Sequence, residues 1–177
     1  RLDPAIPLPR EGVGSQVQLL YVGQLERGKG ILFLLDVLDQ MPRGNWVLRI
    51  VGTGSLAQQV QAKTAGKSNF RYLGCVKRSG LRAIFNQTDA TIVPSLCYEN
   101  SPTVIAESFA CGVPVIAADI GGISEMVFDN TNGFTFATFL LTPAPCTIST
   151  TLSTSLYAPG ASSATPDLLR DFINMPF

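Results

Sequence analysis

Residues 98–118 read YENSPTVIAESFACGVPVIAA, an apolar stretch that nonetheless carries two carboxylates, Glu99 and Glu107, on either side of a Ser-Pro pair. Ser101 followed by Pro102 suits a helix N-cap and first helical residue: the hydroxyl accepts an orphan N–H, and proline's φ is already helical. Gly112 followed by Pro114 suits a helix end. The run from Val113 to Ala118 has no polar alternation, as expected of a strand buried on both faces in a parallel sheet. The unit therefore reads loop, short helix, buried strand. Around the helix apolar groups lie on nearly every side, and only Thr103 and Glu107 share a polar stripe, which predicts a helix largely covered by protein. A carboxylate so placed either reaches solvent through a gap or meets a partner, because an unpaired buried charge is costly.

Working outward, the same alternation recurs. Strands are expected at 16–22 (QVQLLYV), 46–51 (WVLRIV), 70–73, 90–93 and 133–136 (GFTF). Helices are expected at 29–40, with Leu32, Leu35 and Leu38 inward and Asp36 and Asp39 outward, at about 56–65, at 80–87, and briefly after Asp119. Strand and helix alternating through short loops imply an α/β, Rossmann-like, doubly wound parallel sheet. Right-handed crossovers put the ligand crevice at the carboxyl ends of the strands. The loops Gly23–Lys29, Gly52–Ser55, Gly74–Lys77 and Tyr98–Thr103 each follow a strand, so they are expected along one edge. Residues 1–15 read as a leading linker and 16–136 as the domain. Residues 137–177 form an irregular, low-charge tail rich in Ser, Thr and Pro, uncharged from Ala137 to Pro166. It reads either as a loose linker or as a segment foreign to the domain, such as a shifted reading frame would produce.

The 177 residues are 46% hydrophobic and 15% charged, with a formal net charge of zero, a balance that favours a buried core over disorder. No apolar run approaches the roughly 18 residues of a membrane span. The opening RLDPAIPLPREG lacks a secretory signal, so a cytoplasmic location is expected. Histidine is absent, which removes the usual imidazole base and zinc ligand; no metal site is expected. Cys75, Cys97, Cys111 and Cys146 show no C-x-x-C spacing and read as free, mostly buried thiols. From Arg43 to Arg82 every charged residue is basic, and from Asp89 to Asp167 every one is acidic. A basic half suits a polyanion such as a diphosphate, although solvated helix faces give the same pattern. Aromatic residues do not interleave with the bases, so no nucleic-acid partner is expected.

Gly52-Thr53-Gly54-Ser55-Leu56-Ala57 fits G-x-G-x-x-A, but a dinucleotide site also needs an acid about 20 residues on, and none occurs between Gly54 and Thr88. No P-loop and no Asp-x-Asp pair is present. What remains is a means of holding a diphosphate without metal. The helix start from Ser101 to Val104 offers free N–H groups and the positive end of a dipole. Lys29, after the turn GQLERGKG, offers a full charge from the facing side.

The segments YVGQLERGKGILFLLDVL, LRIVGTG, YLGCV, IVPSLCYENSPTVIAESFACGVPVIAADIGGISEMV and NGFTF follow one another in order. Together they resemble the C-terminal, donor-binding half of family-4 retaining glycosyltransferases of the GT-B fold. The resemblance covers roughly residues 3–136, and its most specific element is E-x7-E, Glu99 to Glu107. It implies that Glu99 faces the donor sugar's hydroxyls and that Glu107 holds the nucleotide ribose. It implies that loop amides from about Ser101 to Val104 cradle the diphosphate, and that Asn100, Ser101, Pro102, Thr103 and Val104 belong to the donor-binding set. Lys29 would neutralise the leaving phosphate, so Lys29 and Glu99 are the expected catalytic residues. Gly23, Gln24 and Gly52 would line the donor, and backbone near Val76 would read the base. Gln24 stands where the family often has arginine. The implied partner is a nucleotide diphosphate sugar, used as substrate with no cofactor or metal. An N-terminal acceptor domain is expected outside this chain, with membrane contact only through it and little transfer by this chain alone. The alternative is a non-catalytic nucleotide-sugar-binding module or an inactive remnant.

Overall fold

The computed structural model describes residues 16–41 and 45–137. The leading linker, the tail beyond residue 137 and Cys146 lie outside the described residues. Six strands, β1 (Val17–Val22), β2 (Trp46–Val51), β3 (Phe70–Gly74), β4 (Ala90–Val93), β5 (Val115–Ala118) and β6 (Gly133–Phe136), form one sheet in the order β3-β2-β1-β4-β5-β6. Every neighbouring pair is parallel. Among the described residues, four α-helices connect the strands from β1 to β5: α1 (Ile31–Gln40), α2 (Ala57–Thr64), α3 (Arg78–Phe85) and α4 (Thr103–Ala110).

The side-chain period of two divides the core. Leu19 and Tyr21 of β1 lie beside Leu48 and Ile50 of β2 and join Ile92, Ile116 and Ala118 under Ile31, Leu34, Leu35 and Leu38 of α1 and Val60 of α2. The intervening residues point the other way. Leu20 and Val51 pack with Phe85 of α3, and Val93, Val115 and Ala117 pack with Ile105 of α4. Helices therefore cover both faces, and β4 and β5 are buried at every position. Each fully buried Leu or Ile contributes about 1.5–3 kcal/mol, which is why these strands carry no polar alternation. The Rossmann-like doubly wound sheet read from the sequence is what forms.

Details of the reading are corrected. The helix expected from Lys29 is split by Gly30: Arg27–Lys29 make a 3-10 turn and α1 starts at Ile31. Leu32 is only half-buried, at the edge of the core, whereas Asp36 and Asp39 face outward as expected. The segment after Asp119 is a 3-10 helix, Gly121–Glu125. The strand expected from Val113 begins at Val115, because Val113 packs against α3 and its N–H bonds back to Ser108. Ser101 is not the N-cap of α4: Pro102 holds that place, and the Ser101 hydroxyl reaches Met126 Sδ at 3.5 Å. Gly112 does take the left-handed conformation past the helix end, with φ 69°. α4 is less covered than its composition suggests, because Thr103, Ala106 and Ala110 are exposed. Cys75, Cys97 and Cys111 form no disulfide, but Cys75 is exposed and the other two are half-buried rather than buried.

Candidate functional site

The strand order reverses between β1 and β4, where consecutive connections leave in opposite directions. Such a switch point opens a crevice at the strands' carboxyl ends, because no connecting loop crosses it. A cleft of about 400 Å³ lies there. Its walls include Gly23, Gln24 and Lys29 from the loop after β1, and Ser95, Glu99 and the start of α4 from the segment after β4.

Gly30 brings the two loops together. Its φ is 70°, and a Cβ there would lie 1.7 Å from the Pro94 carbonyl oxygen, so the close approach needs glycine on both counts. The Gly28 carbonyl then accepts from the N–H groups of Leu96 and Cys97, at 2.8 and 3.3 Å. Lys29, between the two glycines, is thereby carried to the opposite wall. Its Nζ meets Glu99 Oε1 at 2.6 Å. Ser95, buried, also donates to Glu99 Oε1, at 2.7 Å. The Glu99 carbonyl accepts from Gly122 N–H at 2.8 Å, and a Cβ on Gly122 would lie 1.9 Å from the Asn100 carbonyl oxygen. The Gly121-Gly122 turn thus buttresses the loop that carries Glu99.

Tyr21 closes the floor. It is buried, and its hydroxyl donates to the Gln24 carbonyl at 2.9 Å. Burial pushes its phenol up, and the Glu99 carboxylate pushes in the same direction. Beside it, the loops after β1 and β2 are clasped. Glu26 accepts from the Ser55 N–H at 2.7 Å and from the Ser55 hydroxyl at 2.5 Å. The hydroxyl bond first, then the backbone one, holds the Glu26 carboxyl below its ordinary value.

α4 is anchored from beneath. Ser108 donates to the Val113 carbonyl at 2.9 Å, so its contact with Thr91 Oγ1, at 2.7 Å, is one in which Thr91 donates. Both side chains are fully buried. The helix therefore presents Thr103 and Val104 to the cleft, and the first N–H groups of a helix have no partner within it. Glu107, one turn on, is half-buried and lines the same cleft. Its other neighbour is Arg78, 3.6 Å away and 93% exposed, a loose surface pair that holds little energy. Beyond Glu107 a second groove of about 380 Å³ runs between α3 and α4.

Of the residues expected at the site, Gly23, Gln24, Lys29, Glu99, Ser101, Pro102, Thr103, Val104 and Glu107 line the cleft together. Gly52, Val76 and Asn100 do not. Gly52 stands behind Gly23, where a Cβ would lie 1.8 Å from the Gly23 carbonyl oxygen; Val76 packs on the α3 core, and Asn100 is exposed. The sequence reading missed Ser95, Tyr21 and Arg78. No spacing rule marks them, although Tyr21 is a polar-tipped residue in a largely apolar strand. Within the basic half, Lys63 and Lys67 pair with Asp36 and Asp39 of α1.

The family profile described as glycosyl transferases group 1 matches residues 16–143. The chain belongs to that family. The glycogen synthase of Mycobacterium tuberculosis is 31% identical over 135 residues, covering 73% of this chain and 31% of that protein. The lipopolysaccharide outer core galactosyltransferase WaaB superposes with a TM-score of 0.67 at 24% identity, over 77% of this chain and 40% of that one, which shows the shared fold. HepE of Anabaena, solved in complex with UDP and glucose, superposes with a TM-score of 0.60 at 26% identity, over 70% of this chain and 35% of that one. The fold is that of a GT-B glycosyltransferase domain. The chain spans about a third of the length of the curated relatives it matches. Among the described residues, no helix is long and apolar enough to cross a membrane.

Proposed function

We propose that this chain is the donor-binding half of a retaining glycosyltransferase of family 4, moving a sugar from a nucleotide diphosphate sugar to an acceptor without metal. The observation that carries this reading is the convergence, in one cleft at the β1/β4 switch point, of Lys29, the head of α4, Glu99 and Glu107. The diphosphate sits on the free N–H groups of Thr103 and Val104, with Lys29 supplying the positive charge that a cation supplies elsewhere. Glu99 accepts from the donor sugar's hydroxyls. Glu107 accepts from the ribose diol, and the groove between α3 and α4 is the adjoining space for the base. HepE, solved with UDP-glucose at 25% identity and a TM-score of 0.59, supports a donor of this class.

In the reaction the sugar–phosphate C–O bond breaks with its electron pair going to the diphosphate. The acceptor hydroxyl forms its bond to the anomeric carbon on the same face, and its proton passes to the departing phosphate oxygen. Lys29 and the helix head stabilise the charge that builds there, each such contact contributing about 2–4 kcal/mol. The acceptor is held by a second domain facing this cleft, consistent with relatives about three times as long. Calorimetric titration with UDP, GDP and ADP tests the reading. One of them binds the wild-type chain, and Glu107→Ala weakens it about tenfold or more. Binding that ignores Glu107→Ala, or no binding at all, contradicts the proposal.

A further inference from the structure

We propose that Ser95 is a positioning residue that fixes which oxygen of Glu99 meets the donor sugar, an inference that rests on the donor reading of the cleft. Ser95, just past the carboxyl end of β4, is 2% exposed and is among the residues lining the cleft. An ionised carboxylate only accepts, so the Ser95 proton is committed to Glu99 Oε1, at 2.7 Å. Lys29 Nζ lands on the same oxygen, at 2.6 Å. The backbone of Glu99 is fixed separately by the Gly122 N–H. Two donors on one oxygen and an anchored main chain leave Oε2 as the oxygen turned to a ligand.

The two donors are not equivalent once a donor substrate arrives. Lys29 carries a compact charge on a flexible stem and is 37% exposed. A diphosphate on the head of α4 draws it away from Glu99. Ser95 is short, buried and uncharged, so it stays. In the loaded site Ser95 is then what keeps Oε1 engaged and Oε2 facing the sugar, while the phosphate and ribose contacts do not depend on it. Its effect therefore falls on the sugar moiety alone.

The test compares each nucleoside diphosphate with its sugar form, UDP with UDP-glucose, GDP with GDP-mannose and ADP with ADP-glucose, by calorimetry on the full chain. Wild type, Ser95→Ala, Ser95→Thr, Glu99→Ala and the Ser95→Ala/Glu99→Ala double variant are measured. Ser95→Ala is expected to bind the nucleoside diphosphate as wild type does and to lose about tenfold on the sugar form. Ser95→Thr, which keeps the hydroxyl, restores it. Glu99→Ala loses the same sugar increment, and adding Ser95→Ala to it costs nothing more. A Ser95→Ala variant that weakens both ligands alike, or neither, overturns the inference and leaves the donor reading standing. If Ser95→Ala fails to fold, the Thr and Glu99→Ala variants decide: a Thr variant that loses the sugar increment overturns it. A wild-type chain that binds no nucleotide overturns the donor reading itself, and the inference with it.

Discussion

Glu26 shows how one carboxylate serves the cleft without lining it. Its two bonds to Ser55 tie the loop that carries Lys29 to the loop after β2, and those bonds hold its carboxyl below the ordinary value of 4.5. A carboxyl whose folded value lies below its unfolded one stabilises the fold above the unfolded value, and that contribution is lost as the pH falls through the folded one. The gap in melting temperature between wild type and Glu26→Gln is therefore expected to be open near neutral pH and to close as the pH falls through and below the ordinary carboxyl range. It stays small throughout, because solvent screens an exposed pair. A gap that is constant with pH would mean that the carboxylate charge contributes nothing. Glu26 was not legible as such a clasp: nothing in its spacing from Ser55 announces a contact between loops that follow different strands. Glu99 and Glu107 were legible, because a carboxylate in an apolar stretch has to be explained.

The element on which the site depends most is α4. Eight residues form a marginal helix in isolation, so its position is set from outside. The Thr91–Ser108–Val113 chain of hydrogen bonds ties it to β4 and to the turn before β5. Replacing Ser108 by Ala leaves a fully buried Thr91 hydroxyl and a carbonyl without their partner, which costs about 1–3 kcal/mol. Urea unfolding of Ser108→Ala is expected to show that loss at unchanged m-value, and a wild-type midpoint would refute the role given to the network. The sequence reading found α4 and its glycine end but put its cap at Ser101. Serine before proline is a strong local signal, yet here Pro102 keeps an extended ψ of 117° and the helix starts one residue later. Tertiary contact overrode local preference: the Glu99–Asn100 backbone is held against Gly121 and Gly122, and that fixes where the chain turns into the helix. The same override explains the break at Gly30, where close packing on Pro94 demands a left-handed residue inside what reads as one helix.

For the molecule as a whole, the strand order decides where chemistry can occur. Alternating apolar runs were enough to give the doubly wound class, and loops that follow strands were enough to predict a shared edge. The pairing of β1 with β4 was not legible, because no run of residues states which strand will be its neighbour. That pairing is what brings Lys29 and Glu99, 70 residues apart, into contact, while Gly52, after the next strand, stands behind Gly23 rather than lining the cleft. The central claim is that this switch-point cleft holds a nucleoside diphosphate between Lys29 and the head of α4. A crystal structure of the chain with the nucleotide that binds tests it most directly. The account predicts phosphate oxygens within hydrogen-bond distance of the Thr103 and Val104 N–H groups and of Lys29 Nζ, with the ribose on Glu107. A nucleotide seated anywhere else, or phosphates that touch neither Lys29 nor α4, would contradict it.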